Sequence, residues 1–281
     1  MKKLDKYYQE ALTDWNAPGM AIAIVKDGDV VLAKGYGVRD VNEHGAIDEH
    51  TSFAIASNTK AFTVAALAIL VDEGKINWDD KVTEYIPWFK LYSPYVTQEM
   101  TIRDLLSHRS GLKTFSGDLL WYGTTYSRDE VIKRAQYLEP KYGFREHFGY
   151  SNIMYLTAGQ IIPAVTGMSW DDFVTERIFE PLGMNRSNTS ITYLKGMENV
   201  AMPHNNVDGK EIAISYLNWD NIGLAGSINS NVSDLCNWIK LQLNNGIFNN
   251  DTIISRKSIN EMRSPNTLQR VSEGAKRLNT Y

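Results

Sequence analysis

The sequence predicts a mixed α/β (α+β) protein: an antiparallel sheet flanked by helices, joined to a mostly helical subdomain. Three observations carry this. Residues 20–25 (Met-Ala-Ile-Ala-Ile-Val) and 30–33 (Val-Val-Leu-Ala) are short apolar runs separated by Lys26-Asp27-Gly28-Asp29, a hairpin-turn signal. Residues 61–71 are apolar nearly all round, as a buried helix is. From about 76 to 220 the chain alternates loops with short helix-like runs. Strands first, helices in the middle and strands expected again at the end describe an α/β sandwich with a helical insertion. A single domain over 1–281 is expected: 1–75 in the α/β part, about 76–220 as the insertion, and 221–281 returning to the α/β part.

In order along the chain, residues 4–15 read as an amphipathic helix, followed by the two strands. The apolar helix at 61–71 closes on Asp72-Glu73-Gly74-Lys75, where Gly74 suits the left-handed residue that ends many helices. It is too short and too closely flanked by charge to span a bilayer. Short helices are expected through Ile102, Val131 and Tyr155, with further helices at 153–165, 170–178, 232–243 and 255–262. Residues 212–217 look like a strand running into a loop.

The chemistry begins at Ser57-Asn58-Thr59-Lys60, at the start of the apolar helix. Residues i and i+3 share a helix face, so the Lys60 amine can reach the Ser57 hydroxyl, and a helix N-terminus favours negative charge developing there. Serine and base can therefore come from four residues. Such a pattern arises about once by chance in a chain of this size. Ser110-Gly111-Leu112-Lys113 repeats it, but Gly111, Thr114, Ser116 and Gly117 mark that copy as a turn.

A serine nucleophile also needs a proton donor for the leaving atom and a group to hold the substrate. Tyr150-Ser151-Asn152, just before the run at 153–165, supplies both types: a phenol that can relay a proton, and an amide that donates and accepts. Tyr216-Leu217-Asn218 has the same spacing, and spacing alone does not choose between them.

Residues 53–60 (Phe-Ala-Ile-Ala-Ser-Asn-Thr-Lys) with the apolar helix behind them resemble the first motif of the serine β-lactamase and penicillin-binding-protein superfamily, class C type. Residues 100–112, 179–184 and 223–235 are also similar to that family, and Tyr150-Ser151-Asn152 resembles its second motif. The resemblance covers nearly the whole chain. It implies a β-lactamase-like fold with the site between its two parts, Ser57 as nucleophile, Lys60 as general base, Tyr150 as proton relay and Asn152 as a contact to the substrate amide. The Ser57 backbone N–H would give one oxyanion donor. The implied substrates are small molecules or peptides: a β-lactam, a D-amino-acid peptide or an ester. A non-catalytic penicillin- or peptidoglycan-binding protein, a structural role, or an inactive fragment of the hydrolase is the alternative.

The family's third motif, Lys-Thr-Gly or His-x-Gly on a later strand, does not occur in this sequence. The chain is therefore expected to be a piece of a longer hydrolase, with its C-terminal strands and the second oxyanion donor outside it. Losing such a donor costs roughly 3–4 kcal/mol of transition-state stabilisation. An incomplete sheet would also expose a strand edge.

Composition sets looser bounds. With 281 residues and 43% hydrophobic content the chain can bury a sizeable core, and a net charge of −4 with dispersed Lys and Arg points away from nucleic acid and anionic membranes. The lone cysteine, Cys236, reads as a core residue on the 232–243 helix. No apolar h-region follows the basic N-terminus, so no signal peptide is expected in this chain, although the resemblance implies an extracytoplasmic parent. No cofactor or metal is expected, since His44 and His50 lack a third nearby ligand. His147 reads as a solvated loop residue and His108 as a loop-fixing one. Trp121, Tyr122, Tyr126 and Asp118 divide between cleft lining and packing or capping, whereas Trp170 and Trp219 read as packing residues. Oligomeric state is not written in the sequence.

Overall fold

The structure, a computed structural model, describes residues 2–269, 271 and 273–278. Helix α1 (Lys2–Asp14) opens the chain. Strands β1 (Gly19–Lys26) and β2 (Asp29–Gly37) follow as an antiparallel hairpin in the register Gly19↔Gly37 to Lys26↔Asp29. Its two turn residues, Asp27 and Gly28, both have positive φ (53° and 87°), the primed turn whose twist matches paired strands. Helix α1 is pinned to β2 through Asp5, which accepts hydrogen bonds from Lys34 Nζ (2.8 Å) and Tyr36 Oη (2.7 Å).

Strand β3 (Phe53–Ala54) leads through a 3₁₀ turn (Ala56–Asn58) into α2 (Thr59–Asp72). Ten of the fourteen α2 residues are buried, Phe62, Leu67 and Leu70 among them, and Gly74 follows with φ +69°. No solvated face is needed because elements pack all round it. Phe62 stacks on Trp238 (4.2 Å between ring centroids) and meets Phe179 edge-on. At the far end Asp72 accepts hydrogen bonds from the Ser255 N–H and the Ser258 hydroxyl.

The middle of the chain holds α3 (Val82–Tyr85), α4 (Pro94–Glu99), α5 (Ile102–Leu106), α6 (Arg128–Arg134), α7 (Asn152–Gly159), α8 (Ile161–Thr166) and α9 (Trp170–Val174). The single helix expected over 153–165 is two. Pro163 has no N–H for the Gly159 carbonyl and its ring crowds it, so the helix breaks at Gln160. The run at 170–178 ends in a π-turn (Thr175–Phe179), in which the Glu180 N–H reaches the Thr175 carbonyl at 2.9 Å. A hairpin, β4 (His204–Val207) with β5 (Lys210–Ala213), interrupts the helical region, so the expected strand near 212–217 ends at Ala213.

Beyond it come α10 (Gly223–Gly226), β6 (Asn229–Ser230), α11 (Val232–Leu243), β7 (Ile247–Phe248), β8 (Asp251–Thr252), α12 (Arg256–Met262) and α13 (Glu273–Leu278). Strand β6 pairs with β3, and α11 packs on β1 and β2. Residues 277 and 278, at the point where the last strands are expected to lie outside the chain, are helical; residues 279–281 lie outside the described ones. Among the described residues β1 pairs on one edge only, with β2. No helix among the described residues is long and apolar enough to cross a membrane. Cys236 is buried, as expected. One buried apolar cluster runs from Phe62 to Ile259 and includes α2, α7, α10 and α11.

Candidate active site

The approach to Ser57 is set by backbone. The β3–β6 ladder pairs Phe53 with Ser230, and the Ile55 N–H donates to the Ile228 carbonyl at 2.9 Å. Ala56 then turns with φ +45°, a left-handed conformation costing an L-residue about 1 kcal/mol, which the flanking pairing sustains. This turn leaves Ser57 exposed and Lys60, one helical turn on, buried at 7% exposure.

Three side chains on one face of α2 lace it to residues 224–228. Thr63 Oγ1 donates to the Leu224 carbonyl (2.6 Å), Lys60 Nζ donates to the Ala225 carbonyl (2.8 Å), and Thr59 Oγ1 accepts from the Ile228 N–H (3.1 Å). Lys60 Nζ also donates to Asn152 Oδ1 (2.8 Å) and Ser57 Oγ (3.1 Å). All three ammonium donors are thus engaged. Burial lowers Lys60 to about 8, with the Asp118 carboxylate pulling the other way.

Tyr150 arrives from the opposite wall, its Oη donating to Ser57 Oγ at 2.7 Å. Its loop is tightly stitched: Gly149 N–H donates to the His108 carbonyl (2.8 Å) and Phe115 N–H to the Tyr150 carbonyl (2.9 Å). A Cβ on Gly149 would stand 1.8 Å from the Leu112 carbonyl oxygen, so only glycine lets the two segments cross. His108 Nδ1 accepts from the Ser151 N–H at 3.1 Å, and its ring lies 4.5 Å from that of Tyr150. Burial, and then the charge of Lys60, lowers His108 to about 4, so it stays a neutral acceptor. Ser151 caps α7 and thereby aims Asn152 at Lys60.

These groups face a cleft of about 340 Å³ walled by Ser57, Tyr150, Asn152, Asp118, Trp121 and Trp219, among others. Asp118 Oδ2 accepts from Asn152 Nδ2 (3.0 Å) and Oδ1 from Trp121 Nε1 (3.0 Å). Burial raises Asp118 above the usual carboxylate value, against those hydrogen bonds and the charge of Lys60. The four residues singled out from sequence are therefore linked in one chain of hydrogen bonds, Asn152 to Lys60 to Ser57 to Tyr150.

Several contributors were not legible. Trp219, read as packing, also lines the cleft, edge-on to Trp121 at 5.5 Å. Phe115 carried no motif, and the Ala225 carbonyl lies in a segment that resembles the family without being assigned a role. The Gly-rich segment 223–226 was the available signal for Ala225, since side-chain-poor residues let backbone approach a helix. Of the divided aromatics, Trp121 lines the cleft while Tyr122 and Tyr126 are exposed. Trp170 is fully buried. The decoys lie elsewhere. Ser110 is buried in a turn with its hydroxyl accepting from the Leu112 N–H (3.3 Å), and Tyr216 Oη donates to the Ala201 carbonyl. His147 is exposed, its ring tilted against that of Tyr142 at 4.6 Å.

The architecture is the β-lactamase-like fold, seen also in an octameric penicillin-binding protein homologue from Pyrococcus abyssi. That likeness has TM-score 0.82 and 30% identity, covering 94% of this chain and 60% of that one. FmtA from Staphylococcus aureus is similar too, with TM-score 0.77 and 25% identity over 92% of this chain and 68% of that one. The chain belongs to the Beta-lactamase family, whose model matches residues 4–277. Among curated relatives, the unguisins hydrolase ungD' of Aspergillus campestris (strain IBT 28561) is 31% identical over 253 residues, 82% of this chain and 45% of that protein. Protein flp of Staphylococcus aureus (strain N315) is 31% identical over 247 residues, 86% of this chain and 49% of that protein. The chain spans about half the length of the curated relatives it matches.

Proposed function

We propose that this chain, as one catalytic unit, carries a serine acyl-transfer centre that cleaves a small-molecule or peptide acyl donor through an acyl-enzyme on Ser57. The observation that carries the reading is the double hydrogen bond on Ser57 Oγ, from Lys60 Nζ at 3.1 Å and Tyr150 Oη at 2.7 Å. When Lys60 sheds a proton, its two remaining N–H groups stay on Asn152 Oδ1 and the Ala225 carbonyl, and the lone pair turns to Ser57. The serine proton passes to that amine as Oγ attacks the carbonyl carbon. Tyr150 relays a proton to the departing nitrogen or oxygen, and the Ser57 N–H supplies one oxyanion donor. Attack by water on the acyl carbon then releases the acid and restores Ser57. Asn152 serves as the contact to the substrate's amide.

The class C character and the choice among β-lactam, D-amino-acid peptide and ester belong to this reading. It accords with the hydrolase name of the fungal relative and the penicillin-binding name of the archaeal one. The test is covalent. A fluorophosphonate or fluorescent penicillin should add one adduct by intact mass, map to the peptide holding Ser57, and be lost in Ser57→Ala. An adduct retained by that variant overturns the assignment.

A further inference from the structure

His108 stands in a left-handed backbone conformation (φ +55°) although it is not glycine, and it is buried at 9% exposure. Such a conformation costs free energy and persists where the surroundings over-determine it. Here the surroundings are the loop that carries Tyr150. The His108 carbonyl accepts from the Gly149 N–H (2.8 Å) and its Nδ1 from the Ser151 N–H (3.1 Å), so one residue grips both neighbours of Tyr150. Its ring packs on the phenol itself, tilted by 31° with centroids 4.5 Å apart. We propose that His108 is a positioning residue of the acyl-transfer centre, holding Tyr150 Oη on Ser57 Oγ without touching the substrate. The proposal deepens the acyl-transfer reading of the same site and rests on it.

His108 is not one of the residues that line the cleft, so it acts through its neighbours. In a neutral imidazole one nitrogen accepts and the other carries the proton, so acceptance at Nδ1 places the proton on Nε2. The Lys60 ammonium lies over the Tyr150 and Tyr155 rings, 4.7 and 5.5 Å from their centroids, and these same two rings pack on His108 at 4.5 and 5.0 Å. A second cation there meets repulsion. Burial and the charge of Lys60 therefore keep the imidazole neutral and its acceptor in place. Tyr155 Oη also donates to the Leu106 carbonyl (2.8 Å), which fixes the chain just ahead of His108 to α7. Removing the Nδ1 acceptor leaves the N–H of Ser151, a fully buried residue at the N-cap of α7, without its partner. The loop then shifts to find another, and Tyr150 loses its aim. His108 carries no proton in the reaction; it sets where the proton donor stands.

The test uses the full chain and follows acylation of Ser57 by fluorescent penicillin, or by a fluorophosphonate where only that labels the wild type. Probe concentration is varied so that apparent affinity and maximal rate are read separately. His108→Ala removes acceptor and ring, and should lower the maximal rate about 10²-fold, as a misplaced group does, with apparent affinity changed less than about threefold. His108→Asn keeps an acceptor near the Nδ1 position and tolerates a left-handed backbone, so it should recover the rate to within about tenfold of wild type. The decisive comparison is a double-mutant cycle: in a Tyr150→Phe background, where no hydroxyl is left to aim, His108→Ala should cost less than about threefold more. A merely structural histidine would cost the same in both backgrounds, and that result overturns the proposal. So does a wild-type rate in His108→Ala, a loss confined to affinity, or an Asn variant no better than Ala. If the Ala variant does not fold by circular dichroism, His108→Phe takes its place with the same expectation; if neither folds, His108 supports the fold rather than the tyrosine and the proposal falls. A wild-type chain that takes neither probe at Ser57 sinks the acyl-enzyme reading itself, a separate outcome from any of these.

Discussion

At the scale of single residues, the site turns on what burial does to one amine. An amine can act as a base only when neutral, and burial lowers Lys60 to about 8. The rate of Ser57 labelling should therefore rise with pH through about 8 and level off above it, a profile read from stopped-flow or gel-based labelling. The same shift bears on stability. The folded state gives up this proton at about 8 and the unfolded chain near its ordinary 10.5, so the Lys60 contribution makes the fold more stable as pH rises across that window. Tyr150 offers a cleaner cut. Tyr150→Phe removes the Oη that reaches Ser57 and retains a ring against His108 and Phe115, so labelling should slow by about 10²–10⁴. Its urea midpoint should correspond to a change of less than about 1 kcal/mol. Ser57 and Lys60 were legible because both sit on one short stretch of helix. Asp118 was visible as a residue type but not as a partner of Asn152, because their contact joins positions 34 apart.

At the scale of elements, the loop crossing at Gly149 decides where Tyr150 points. Gly149→Ala puts a methyl onto the Leu112 carbonyl oxygen and must push apart residues 111–115 and 149–150. A destabilisation of about 1–3 kcal/mol is expected, together with a loss of labelling larger than that destabilisation explains. Thermal melts and labelling rates on the same protein would check both; a stable variant with native labelling would show that the crossing is not needed. A neighbouring network supports this region. Burial pushes Asp104 up, yet the hydrogen bonds from Arg145 and Thr101 outweigh it and hold the carboxyl below its usual range. Arg109 also pairs with it at 2.6 Å. The π-turn after α9 and the break at Gln160 belong to this scale too. Pro163 accounts for the break and was in plain sight, but apolar periodicity alone ran straight through it.

At the scale of the whole molecule, α2 is shared property: it carries Lys60 in its first turn, follows directly on the 3₁₀ turn that holds Ser57, and is enclosed by the buried cluster along its length. Leu67 is fully buried in that helix, so Leu67→Ala should cost about 2–5 kcal/mol. Because one cluster joins α2 to α7, α10 and α11, loss of Ser57 labelling in urea should coincide with loss of helical circular dichroism, in wild type and variant alike. Labelling lost well before the helices would mean that the site unfolds on its own.

The sequence by itself determined the local features. These are the Asp27-Gly28 hairpin, the buried helix behind Ser57, the bounds of the 232–243 helix, and a serine and lysine brought together by one helical turn. Each depends on neighbours within a few residues, where periodicity and turn chemistry act directly. The family resemblance already pointed to Tyr150-Ser151-Asn152, but the packing of distant elements is what brings Tyr150 onto Ser57, holds Lys60 between the Ala225 carbonyl and Asn152, and sets Asp118, Trp121 and Trp219 along the cleft. Those are contacts across tens to more than a hundred residues. They depend on how whole elements pack, which no local pattern encodes.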